Sequence, residues 1–129
     1  MRFGGQEQPV YPALSALLGG DDDKVGKILR VFYRSAWKDL ERLEQLASAG
    51  QWYPAMNLAN RIAIGCRQIG EDAAAERFTF QATMAIERAR ADAAAGSGAF
   101  ARLFQNARRE LVDVLDRAAA YVAFAEPEA

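Results

Sequence analysis

Residues 50–70 read Gly50-Gln51-Trp52-Tyr53-Pro54-Ala55-Met56-Asn57-Leu58-Ala59-Asn60-Arg61-Ile62-Ala63-Ile64-Gly65-Cys66-Arg67-Gln68-Ile69-Gly70, a stretch held between two glycines. Turning about 100° per residue gathers Ala55, Ala59, Ile62, Cys66 and Ile69 on one side of a helix. Asn57, Asn60, Arg61, Ile64, Arg67 and Gln68 fall on the opposite side, with Ala63 between the two sectors. That periodicity predicts a helix from Gln51 to Ile69. Pro54 is tolerated in its first turn, where the backbone N–H groups have no intrahelical acceptor. Ile64 is an apolar side chain among polar ones, the layout of an interface centre within a polar rim. Cys66 lies on the apolar stripe and reads as a small buried hydrophobe. The Trp52-Tyr53-Pro54 cluster has two readings: Trp52 closes one end of a helical core, or the cluster is a ligand-stacking patch.

The segments on either side carry the same helical period. Asp21, Asp22 and Asp23 offer a cap and first-turn charge to a long helix closed by Gly50. Its stripe is Val25, Ile28, Leu29, Phe32, Ala36, Leu40, Leu43 and Ala47. Lys24, Lys27, Arg30, Arg34, Lys38, Asp39, Glu41 and Arg42 make up a solvated face. Upstream, Pro12 starts a short helix that ends at Leu18 before Gly19-Gly20, and residues 1–11 form a flexible arm. Downstream, Glu71-Asp72 opens a helix with Ala75, Phe78, Ala82, Ala85, Ile86 and Ala89 on one side. After the Gly96-Ser97-Gly98 break, with Ser97 as N-cap, one last helix carries Phe100, Leu103, Phe104, Ala107, Leu111, Val114, Leu115, Ala118 and Val122. The expected fold is all-α: an antiparallel up-down four-helix bundle over residues 12–125, with a short extra N-terminal helix and a frayed tail at 126–129.

Composition narrows the function. A net charge of −1 lacks the basic surplus of a nucleic-acid-binding domain, so no nucleic-acid partner is expected. No segment is apolar for the length a membrane crossing needs, so no membrane insertion is expected. With no histidine and one cysteine there is no metal-ligand pattern, no Ser-His or Cys-His pair and no disulfide. Gly96-Ser97-Gly98 lacks the lysine and preceding strand of a phosphate loop. No cofactor, no metal and no enzymatic activity are expected. The chain is expected to be cytoplasmic, to stand alone, and to be a monomer rather than a dimer.

The order of parts resembles the histidine phosphotransfer (HPt) domains. The resemblance rests on Gly19-Gly20-Asp21 before a long helix, Ala47-Ser48-Ala49-Gly50-Gln51-Trp52 before the next, and Ile69-Gly70 at the end of that helix. It covers residues 12–123. In that family the third helix of this layout carries a phosphoaccepting histidine, a lysine three residues later, then a glycine and a small residue. Here Asn60 falls on the histidine, Ala63 on the lysine and Ile64 on the glycine, while Gly65 and Cys66 take the small positions. The amide nitrogen of Asn60 shares its lone pair with the carbonyl and is no nucleophile. Ala63 brings no charge to a phosphoryl group, and Ile64 fills space that an incoming aspartyl phosphate needs.

The resemblance thus implies a pseudo-HPt member without a catalytic residue. Asn57, Asn60, Arg61, Ile64, Arg67 and Gln68 would bind a response-regulator receiver domain or a histidine kinase, competing with or modulating a phosphorelay. Two other readings stay open: a helical adaptor or chaperone-type scaffold, and a bundle that self-associates through Ile64, Trp37 or Tyr33.

Overall fold

The computed structural model describes residues 11–92 and 98–125, with no strand among them. Six helices are described: α1 (Pro12–Leu17), α2 (Asp22–Ser48), α3 (Trp52–Gln68), α4 (Asp72–Ala91), α5 (Gly98–Leu103) and α6 (Gln105–Ala125). Asp21 caps α2, its carboxylate accepting from the Lys24 backbone N–H at 3.2 Å. The expected Ser97 cap, the tail at 126–129 and residues 1–10 of the arm lie outside the described residues. Tyr11, placed in the arm by sequence, is buried and meets Tyr121 edge-on at 5.6 Å. The described core therefore includes Tyr11, one residue before Pro12.

Two identical turns set the path of α3. Gly50 and Gly70 hold positive φ (78° and 88°), a conformation that costs a residue with Cβ. At the first turn, Gln51 N–H bonds to Leu46 C=O at 2.8 Å and Gly50 N–H to Ala47 C=O at 3.0 Å. At the second, Glu71 N–H bonds to Cys66 C=O at 2.8 Å and Gly70 N–H to Arg67 C=O at 2.9 Å. Both are Schellman motifs, which use carbonyls the helix end would leave unpaired. Each is followed at once by the next helix, so α3 folds back along α2 and α4 folds back along α3.

The pairings that follow join α2 with α3, α3 with α4, α4 with α6, and α6 with α2. Cross-links fall along three of these seams: Arg61–Asp39 between α3 and α2, Arg77–Glu110 between α4 and α6, and Arg108–Glu44 between α6 and α2. The α3–α4 seam is built differently. Most buried residues of these two helices are Ala (Ala55, Ala59 and Ala63 on α3; Ala74, Ala75, Ala82, Ala85 and Ala89 on α4), side chains small enough to let paired helices approach closely.

The last helix departs from the sequence expectation, because the chain breaks at Phe104 into α5 and α6. Phe104 stacks on Phe100 at 4.9 Å and meets Phe78 edge-on at 6.3 Å, all three rings being buried. Two large rings one turn apart both enter the core at this break. The chain stays hydrogen-bonded through it, from Phe104 N–H to Phe100 C=O (2.8 Å) and from Arg108 N–H to Phe104 C=O (2.9 Å). Phe104→Ala should therefore lower unfolding free energy by about 3–5 kcal/mol, read from urea denaturation with an unchanged m-value.

Candidate docking surface

Every residue of the sequence-predicted face is exposed: Asn57, Asn60, Arg61, Ile64, Arg67 and Gln68. Ala63, left between sectors by the helical wheel, is buried. The structure divides the six by direction. Arg61, Ile64 and Gln68 lean toward α2 and line a groove between α2 and α3 that encloses about 600 Å³. Asn57 and Arg61 line a second cleft nearer the Gly50 turn. Asn60 and Arg67 are exposed but line neither. The position of greatest interest in the sequence thus sits beside the groove.

The groove is apolar, and α2 supplies half of it. Its floor holds Phe32, Ala36, Ile62 and Ile69, and its upper edges carry Ile28, Val31 and Ile64. Those three aliphatics are 38%, 63% and 51% exposed. Sequence reasoning put Ile28 in the core stripe; it lies at the rim, because α3 covers only part of that side of α2. It also passed over Val31. The available signal was an apolar residue in the middle of a charged sector. With both in place, Ile64 is no isolated apolar residue but one wall of a contiguous strip.

Gly65 sets the depth of the groove. A Cβ there would stand 3.3 Å from Cε1 of Phe32, so the bare backbone of α3 lets this ring lie against it. The groove ends at a bidentate ion pair: Arg61 donates from Nε to Asp39 Oδ2 (2.9 Å) and from Nη2 to Oδ1 (2.6 Å). Asp39 was placed on the solvated face by sequence, yet it is 6% exposed. Its carboxylate can be buried there because both oxygens are occupied by the guanidinium fork. The same contact raises the Arg61 pKa.

Charge on this side of the molecule is one-sided. Lys24, Lys27, Arg34, Lys38 and Arg42 recur along the outer face of α2, with Val31 among them and Asp23 and Glu41 at the edge. The α3 helix has Arg61 and Arg67 but no acidic residue. An exposed aliphatic groove bordered by cations is suited to an apolar partner surface that carries negative charge.

Cys66 is on the buried side of α3, and burial, with the Glu71 carboxylate adding to it, pushes its thiol from 9.0 up to about 12. The thiol stays protonated and unreactive near neutral pH. Among the described residues no group of His, Cys, Asp or Glu side chains could hold a metal ion, and no helix is long and apolar enough to cross a membrane. No family model, curated protein or solved structure matches the chain.

Three outcomes check this geometry. Gly65→Leu must displace the Phe32 ring or part α2 from α3, and should cost about 1–3 kcal/mol in thermal or urea unfolding. Gly65→Ala, which trades a tight contact for helix propensity, should stay within about 1 kcal/mol of the parent. For Cys66, the unfolded thiol ionises above pH 9.0 while the folded one does not until about 12. Stability should therefore fall as pH rises through that window, and Cys66→Ala should flatten the slope in alkaline urea titrations.

Proposed function

We propose that this chain is a non-catalytic, pseudo-HPt signalling protein, an up-down four-helix bundle that docks on a receiver domain or a histidine kinase and competes with or modulates phosphorelay. The observation that carries this reading is the aliphatic groove of Ile28, Val31 and Ile64 beside Asn60. It lies where the family resemblance implies a partner seats, and the residue that the resemblance aligns with the phosphoacceptor, Asn60, has a side chain incapable of phosphotransfer. The helical layout, with α3 between two glycine turns, is consistent with the same reading. Neither the amide of Asn60 nor the methyl of Ala63 can hold or neutralise a phosphoryl group.

Docking here would draw affinity from the buried aliphatic strip, while Lys27, Arg34, Lys38 and Arg67 would set register and association rate. In this reading the protein works in the cytoplasm as a monomer, without cofactor or metal. Calorimetry of the purified chain against receivers and histidine kinases of the same genome tests it. A binder is expected among them. Ile64→Asp should weaken binding at least about 100-fold, the size of a lost interface anchor, with the helical circular dichroism unchanged. Absence of binding to every receiver and kinase tried, with folded protein, refutes the reading.

A second reading, self-association through the same groove, is favoured by the exposure of Ile28, Val31 and Ile64. Tyr33 and Trp37 do not support it, since they pack on each other edge-on at 6.4 Å and Trp37 lies under the Arg108 guanidinium at 5.7 Å. Sedimentation equilibrium separates the two, because a strict monomer removes self-association.

A further inference from the structure

We infer that the cleft between α2 and α3 nearest the Gly50 turn is a binding site for a small organic phosphate monoester. Lys38 and Arg42 line it from α2, and Asn57 and Arg61 from α3, around about 470 Å³. Each helix thus contributes a pair spaced four residues apart, the spacing that stacks side chains on one face. Four side chains able to donate hydrogen bonds thus line one cleft from two helices.

The electrostatics ask for an anion. Lys38 and Arg42 are like charges one turn apart, and neither has an ion-pair partner among the described residues. Arg61 is already held by the Asp39 fork, so its remaining N–H groups are fixed in place before a ligand arrives. Three cations against the one buried carboxylate leave the cleft with a net charge of about +2, the complement of a phosphate monoester above its second pKa of about 6. Guanidinium groups match phosphate oxygens in shape as well as charge. The Asn57 amide adds a neutral donor.

The rest of the lining speaks to what the phosphate is attached to. Leu46, Pro54 and Leu58 complete the cleft, so an organic body on the phosphate would rest on apolar wall. Inorganic phosphate would leave that wall exposed to water. This inference does not depend on a receiver or kinase partner.

The test is a titration of the full chain followed by two-dimensional amide and Arg Nε NMR. The probes are phenyl phosphate, inorganic phosphate and sodium chloride at matched ionic strength. Saturable shifts centred on Lys38, Arg42, Asn57 and Arg61 are expected with phenyl phosphate, weaker with inorganic phosphate and absent with chloride. Binding should strengthen as pH rises through the second ionisation of the ester. Lys38→Gln and Arg42→Gln change exposed side chains that hold no part of the core. Each should weaken binding about tenfold, with an unchanged thermal midpoint. Shifts that are unsaturable, that chloride reproduces or that survive both substitutions overturn the proposal. So does inorganic phosphate binding as tightly as phenyl phosphate.

Discussion

The two glycine turns that bracket α3 are the constraint from which the remaining geometry follows. A helix end that closes in a Schellman motif needs one residue at positive φ, and Gly50 and Gly70 meet that need without a Cβ penalty. Because the next helix starts immediately after each, α3 has no freedom to swing away. It is pinned lengthwise between α2 and α4, and each side must then be packed with what the sequence supplies there. Most of what α3 and α4 bury is alanine, small enough for paired helices to approach closely. Toward α2, Gly65 lies against the ring of Phe32.

Both clefts on the α2–α3 side result from that second contact. Where Gly65 admits Phe32 the helices meet, and above this contact Ile28, Val31 and Ile64 have no third helix covering them among the described residues. Asp39 and Arg61 form the divide. One face of their ion pair closes the aliphatic groove, and the other borders the cationic cleft of Lys38, Arg42 and Asn57. A carboxylate this deeply buried requires a partner, and the partner's position is set by the turn at Gly50. The Gly50 turn and the Gly65–Phe32 contact together fix where the surface is apolar and where it is cationic.

Most of the helices were legible in the chain, and the reason is physical. Positive-φ glycines end helices, acidic residues favour their starts, and a three-to-four-residue apolar period marks the side that meets other helices. These are local properties. The misreadings share the opposite character. Ile28 carries the period of the α2 stripe but stands at its margin, and α3 does not reach across it. Asp39 is charged and was counted with the solvated face, yet its neighbour across the seam supplies the guanidinium that permits burial. Phe104 continues the helical period through a break that exists because Phe78 and Phe100 share the space around it.

The candidate site divides along the same line. Sequence alone determined that the chain is helical and that α3 has a polar face holding Asn60 and Ile64. Those conclusions follow from residue identity and helical period, which need no neighbour. Only the tertiary structure decided that Ile64 shares a groove with Ile28 and Val31, that Arg61 is tied to Asp39, and that Asn60 stands beside this groove rather than within it. Each depends on which residue of α2 lies opposite which residue of α3. That register is fixed by a turn and a ring contact between segments far apart in the chain, and a helical wheel drawn for one segment contains neither.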